Sequence, residues 1–237
     1  MKLSAPLFLL KRRAKLIARN NNVPLHKALD QIAREEGFAQ WSLLSSHVAA
    51  LSLSEMLLSR LDYGDLLLVA GRPGHGKTTL GLQLLIDAAR YGRKAIFFTL
   101  ELTERQARTH IRSLEKDTPG IGDSLDIVTS DEICANFIIR HLSGSPRGSI
   151  VVVDYLQLLD QQRNKPELSE QITALGDFAS KTGVIVAFIS QVDRSFDPER
   201  KRLPDIQDIR LPNFVDLTLF TKTCFLHNGK AQIHGVA

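Results

Sequence analysis

The chain has 237 residues, 43% of them hydrophobic, enough for one α/β domain of ordinary size with a small appendage. Its net charge of +4 is unevenly spread: residues 1–53 hold eight Lys/Arg against three Asp/Glu, leaving 22 basic and 23 acidic residues for 54–237. No apolar run approaches membrane-spanning length, and two distant cysteines, Cys134 and Cys224, form no CxxC metal or redox pattern, so composition argues against a membrane protein or a disulfide scaffold.

The start, "MKLSAPLFLLKRR", is short, interrupted by Pro6 and followed by basic charge, unlike a secretory signal; with the cysteine usage this implies a soluble protein of the reducing cytoplasm. Apolar residues at three- and four-residue spacings predict helices over 7–19 and 24–36, with Pro24 opening the second and Gly37 ending it. A third short helix fits "FAQWSLLSSHV". Leu25, Leu29, Ile32, Phe38, Trp41 and Leu44 are the expected core of this small helical unit, residues 1–53. Its basic excess suits an anionic partner such as nucleic acid, or equally a solvated helix face.

From Asp65 the pattern changes to apolar strands alternating with helices: "LLLVA", "AIFFTL", "LDIVTS", "SIVVVD", "GVIVAFIS" and "VDLTLF", with helices expected at 78–91, 103–115, 131–142 and 167–181. Such near-continuous apolar strands are buried on both faces, which predicts an α/β domain over 54–237 with a central, mainly parallel sheet flanked by helices. The polar stretch from Asp193 to Pro212 is the longest expected loop.

"GRPGHGKT" satisfies G-x-x-x-x-G-K-[ST] between an apolar strand and an amphipathic helix. Residues Gly71, Arg72, Pro73, Gly74, His75, Gly76, Lys77, Thr78 and Thr79 then form a P-loop, with backbone N–H groups and a helix N-terminus turned to nucleotide phosphates. Lys77 reaches the β- and γ-phosphates, and the Thr78 hydroxyl ligates Mg²⁺, which makes ATP and Mg²⁺ the expected cofactors. Asp154, ending "SIVVVD", can hold the same metal through water, or cap a turn. Glu101, just past "AIFFTL", can activate the attacking water as a general base, or stand as an exposed acid at a helix start. Gln191, after "VIVAFIS", can report on the γ-phosphate or be a polar strand end.

"AIFFTLELTERQARTHI", "SIVVVDYLQLL", "KPELSEQITALGDFASKTGVIVAFISQVDRS" and "LPDIQDIRLPNFVDLTLF" resemble successive motifs of the RecA-like motor domain of DnaB-type replicative helicases, over roughly residues 55–230. The resemblance implies a catalytic Glu101, a metal-binding Asp154 and a γ-phosphate-sensing Gln191. It also implies DNA contact from the loop region of Arg194 and Arg210, with Lys201 and Arg202 as neighbouring candidates or as parts of a solvated loop. Single-stranded DNA or a replication-type protein partner is the expected partner, and a ring or other head-to-tail homo-oligomer the expected assembly. Two departures stand out. Where the family brings a lysine and an arginine to a neighbour's γ-phosphate, this chain reads "FLHNGK", placing Phe225 and His227 at the cationic positions. Slow hydrolysis follows, raised by His227→Arg in a head-to-tail assembly unless Lys222 or Lys230 substitutes. Residues 1–53 do not resemble the family's helical collar. A regulatory ATP-binding module that controls a protein partner without unwinding DNA is therefore the main rival, and a small-molecule kinase a weaker one.

Overall fold

The computed structural model describes residues 3–5, 7–115, 119–160, 165–193, 195–210 and 215–235, apart from the side chains of Phe8, Ala49, Ala50, Leu158 and Asp160. The chain divides into two compact units, Met1–Arg60 and Leu61–Ala237.

The first unit is helical: α1 (Leu7–Asn20), α2 (Leu25–Glu35), α3 (Trp41–Ala50) and α4 (Leu53–Arg60). Pro24 sits at the N-cap of α2, where its missing N–H costs nothing. Leu10 and Ala14 of α1 meet Ala28 and Ile32 of α2, with Leu29 and Trp41 packed around them. Leu25, expected in this core, is instead 41% exposed: it shares the stripe of Ala28 and Ile32 but stands at the first residue of α2. The Trp41 N–H donates to Asp30 Oδ1 (2.9 Å), tying the start of α3 to α2.

The second unit carries a seven-stranded sheet in the order β3-β2-β4-β5-β1-β6-β7, with β1 (Leu66–Gly71), β2 (Ala95–Thr99), β3 (Asp126–Val128), β4 (Ile150–Asp154), β5 (Ile185–Gln191), β6 (Lys222–His227) and β7 (Lys230–Gly235). All pairings are parallel except β6 with β7. Between the strands run α5 (Lys77–Arg90), α6 (Glu104–Leu114), α7 (Ala135–His141) and α8 (Leu168–Thr182). Alternate strand residues face opposite layers: Leu66, Leu68, Val151, Val153, Val186 and Phe188 share a core with Ile138, Ile172 and Leu175 of α7 and α8. On the other face α5 comes close enough that a Cβ on Gly81 would lie 2.9 Å from Ile189 Cδ1 and 3.0 Å from Val152 Cγ1.

The last part of the sheet differs from expectation. "VDLTLF" is not a strand: Asp216 accepts from the Thr218 N–H (2.9 Å), which bends the chain into a short 3-10 turn over Leu217–Leu219. The pairing strand follows it, at Lys222–His227. Asn228 and Gly229, both with positive φ, then close a two-residue hairpin into β7, which the "NG" pair in "FLHNGK" signals. The loop after β5 is also pinned at its base, where Val192 bridges Ile209 and the Asp193 N–H donates to the Asp208 carbonyl (2.7 Å).

Candidate functional site

The C-terminal ends of β1, β2, β4 and β5 lie side by side, in register Thr99↔Asp154, Asp154↔Ile189 and Gly71↔Gln191. A parallel sheet thus delivers to one edge the residues that follow its strands. At the end of β1, Gly74 and Gly76 take φ of +79° and +82°, which residues bearing a Cβ rarely adopt, and the loop turns directly into α5. Gly76 is the N-cap of that helix, whose first N–H groups face into the loop.

Below the loop, the Thr78 hydroxyl donates to Asp154 Oδ2 (2.8 Å), while Asp154 Oδ1 is buried with no hydrogen-bond partner among the described residues. Asp154 is 1% exposed, and burial pushes its carboxyl up to about 6; the Glu101 charge adds to the rise, while the Thr78 hydrogen bond and Lys77 oppose it. A buried carboxylate with one orphaned oxygen beside a hydroxyl fits a hard divalent cation, which supplies the compensation that the protein withholds. The Lys77 ammonium donates to the Arg72 carbonyl (3.0 Å), and burial lowers its pKa against the pull of Asp154 and Glu101.

Glu101 is exposed just beyond β2. The buried Thr99 hydroxyl accepts from the Glu101 N–H (3.1 Å) and fixes the turn. Gln191 is half-buried, and its carbonyl accepts from the Arg210 N–H (2.8 Å). Gln157, inside "VDYLQLL" but not singled out by sequence, donates to the Arg210 carbonyl (2.8 Å), so Arg210 is held from both sides with its side chain exposed. Lys201 is paired with Asp205 and with Asp208 (2.9 Å), and these acids raise its pKa; Arg202 is exposed, and Arg194 lies outside the described residues.

The remaining loop side chains turn sideways. Arg72 donates to the Phe196 carbonyl and stacks over its ring at 5.5 Å. His75 faces His227, with ring centroids 5.0 Å apart, and His227 also meets the Phe196 ring at 5.3 Å. Phe225 is 2% exposed and His227 7%, so both are buried within their own chain; Lys222 lies 3.7 Å from Asp62, and Lys230 is exposed. Sequence alone missed the His75–His227 contact, because nothing in it says that β6 lies next to β1.

A family model described as "ATPase: KaiC" matches residues 51–209, well over half of the chain. The chain belongs to the KaiC ATPase family. Among curated relatives, this family member is 26% identical over 210 residues to the replicative DNA helicase DnaB of Mycoplasma pneumoniae, covering 70% of this chain and 44% of that protein. It is 33% identical over 96 residues to the DNA repair protein RadA of Campylobacter jejuni, covering 40% of this chain and 20% of that protein. The chain spans less than half the length of the DnaB relatives it matches.

Among solved structures, a DnaB-like replicative helicase described with its interactions with primase superposes with a TM-score of 0.57 at 17% identity, over 93% of this chain and 66% of that one. A KaiC-like protein of Pyrococcus horikoshii gives 0.51 at 18% identity, over 68% and 70%. The KaiC-family domain seen here is therefore an ATP-binding, RecA-like P-loop ATPase domain, related to the ATPase domains of DnaB-type helicases. No helix among the described residues is long and apolar enough to cross a membrane.

Proposed function

We propose that the chain is a Mg²⁺-dependent ATPase of the cytoplasm that couples nucleotide state to contact with single-stranded DNA. The observation that carries this reading is the Thr78–Asp154 pair beneath the P-loop, with an orphaned carboxylate oxygen and Lys77 and Glu101 both felt electrostatically at Asp154. Mg²⁺, when bound, neutralises phosphate charge. Thr78 and Asp154 hold it. Lys77 exchanges the Arg72 carbonyl for the β- and γ-phosphates, the backbone from Gly71 to Thr79 encloses them, and Glu101 orients and deprotonates the attacking water. Gln191, at the strand end beside Gly71, senses the γ-phosphate and hands its state to Arg210 through one backbone hydrogen bond.

Arg210, Arg202 and Arg194 are the cations assigned to DNA. Lys201 contributes less, since Asp205 and Asp208 already neutralise it. The DnaB relatives are replicative helicases, but the match covers under half of their length, so unwinding is not part of the proposal.

One observation favours the second reading, a regulatory ATP-binding module that acts on a protein partner: Phe225 and His227, at the positions of the family's trans-acting cations, are buried in their own chain. Turnover measured with and without single-stranded DNA, alongside mass in solution with ATP and Mg²⁺, separates the two. DNA stimulation and a head-to-tail oligomer support the first; a DNA-indifferent rate sinks it in favour of the second.

A further inference from the structure

The P-loop and the β6–β7 hairpin are joined by a contact that phosphate binding does not require. The Asn228 N–H, at the hairpin turn, donates to His75 Nδ1 (3.3 Å), and the His75 ring packs on His227, which in turn meets Phe196. Because Nδ1 accepts, the His75 ring is neutral with its proton on Nε2. His75 stands between Gly74 and Gly76, the two positive-φ positions about which the loop can turn, and two residues before Lys77. In this structure Lys77 is parked on the Arg72 carbonyl of the same loop. The same carbonyl accepts from the His75 N–H (3.2 Å), so when phosphate draws Lys77 away from it, His75 carries the change to the groups that its ring holds.

We propose that His75 is a positioning residue that latches the β6–β7 turn to the P-loop, so that nucleotide occupancy is read at Asn228–Lys230 of the same chain. Lys230, exposed beside the turn, is the cation whose placement the latch governs. The inference rests on ATP binding in this loop and not on DNA contact, so DNA indifference leaves it standing.

The experiment is amide hydrogen exchange of the full chain, with and without a non-hydrolysable ATP analogue and Mg²⁺. In the wild type, exchange at 227–230 should shift by roughly fivefold on adding the analogue, the worth of one hydrogen bond. His75→Ala should speed exchange of Asn228 by a similar factor and abolish its response, while amides 74–78 still respond. His75→Asn, whose side-chain oxygen can accept in place of Nδ1, should restore the hairpin response.

Burial chiefly, then His227, Lys77 and Arg72, hold the His75 pKa below the ordinary imidazole value. Protonation removes the acceptor, so the hairpin should stay protected at neutral pH and loosen only at a pH below the ordinary imidazole pKa, with no such step in His75→Ala. If His75→Ala no longer takes up the analogue, His227→Ala, which removes the ring contact from the hairpin side, carries the test and should lose most of the response. A hairpin that responds equally in wild type and variant, or not at all in wild type, overturns the proposal.

Discussion

Lys77 and Glu101 act on different atoms, one on phosphate charge and the other on water, and their substitutions should separate accordingly. Lys77→Ala is expected to lose tight ATP binding. Glu101→Gln is expected to bind ATP as the wild type does and to hydrolyse it at least about a hundredfold more slowly, the usual worth of a general base. Binding and single-turnover hydrolysis measured on both variants check this, and equal loss of binding would remove the division of roles.

Asp154 carries a stability cost. Its folded pKa, about 6, lies above the ordinary 3.8, so burying the charged form destabilises the metal-free protein above pH 6, and the cost fades as pH falls toward 4. Asp154→Asn should therefore stabilise the metal-free chain at pH 7.5 by up to about 3 kcal/mol, gain nothing near pH 4, and abolish turnover. Melting curves at the two pH values decide it. His227 changes with context as well. By resemblance, arginine there should raise turnover in a head-to-tail assembly, but the side chain is 7% exposed against His75 and Phe196. His227→Arg is expected to leave the rate unchanged across a protein concentration series and to cost about 1–3 kcal/mol through overpacking, read from a thermal melt.

Elements show where sequence was informative and where it was not. β1, β2, β4 and β5 are apolar runs bounded by turn residues, and their period and flanks mark them without help from the rest of the chain. The P-loop carries its own glycines and is equally local. β6 is different: "KTCFLH" becomes a strand because β1 offers it an edge, from Leu67 opposite Lys222 to Gly71 opposite Leu226. The preceding "VDLTLF" has the better apolar pattern, and Asp216 bends it away. Contacts that depend on β6, including His75 with His227, are illegible for the same reason. The pairing of Lys201 with Asp205 and Asp208 was local enough to suspect, at four and seven residues, yet the loop's turn decides it.

Helix α1 was legible in outline. It contains no acid, and Lys11, Arg12, Lys15 and Arg19 are all exposed, with no ionic partner among the described residues. If these four meet phosphates, removing residues 1–60 should flatten the salt dependence of single-stranded DNA binding, by roughly 0.7 in log–log slope for each phosphate they neutralise. An unchanged slope, measured by titration at several salt concentrations, returns α1 to a solvated face.

At the scale of the molecule, each unit has its own buried cluster, Leu10, Ala14, Ala28 and Ile32 in the first and the face of the sheet against α7 and α8 in the second, whose opposite face is buried as well. The fragment from Leu61 onward is expected to fold and bind ATP by itself, and insolubility of that fragment would count against the division. The sheet order has a consequence for how such a chain is made. β1 lies between β5 and β6, and the Leu66 N–H bonds the Thr221 hydroxyl 155 residues later. A ribosome releases β1 and its P-loop before either partner strand: one edge waits for Ile185–Gln191 and the other for Lys222–His227, and such long-range pairing is slow. ATP competence in synthesis therefore waits on partners made long after the loop itself: a nascent chain halted before Ile185 should fail to retain nucleotide, and one halted after Gly235 should hold it.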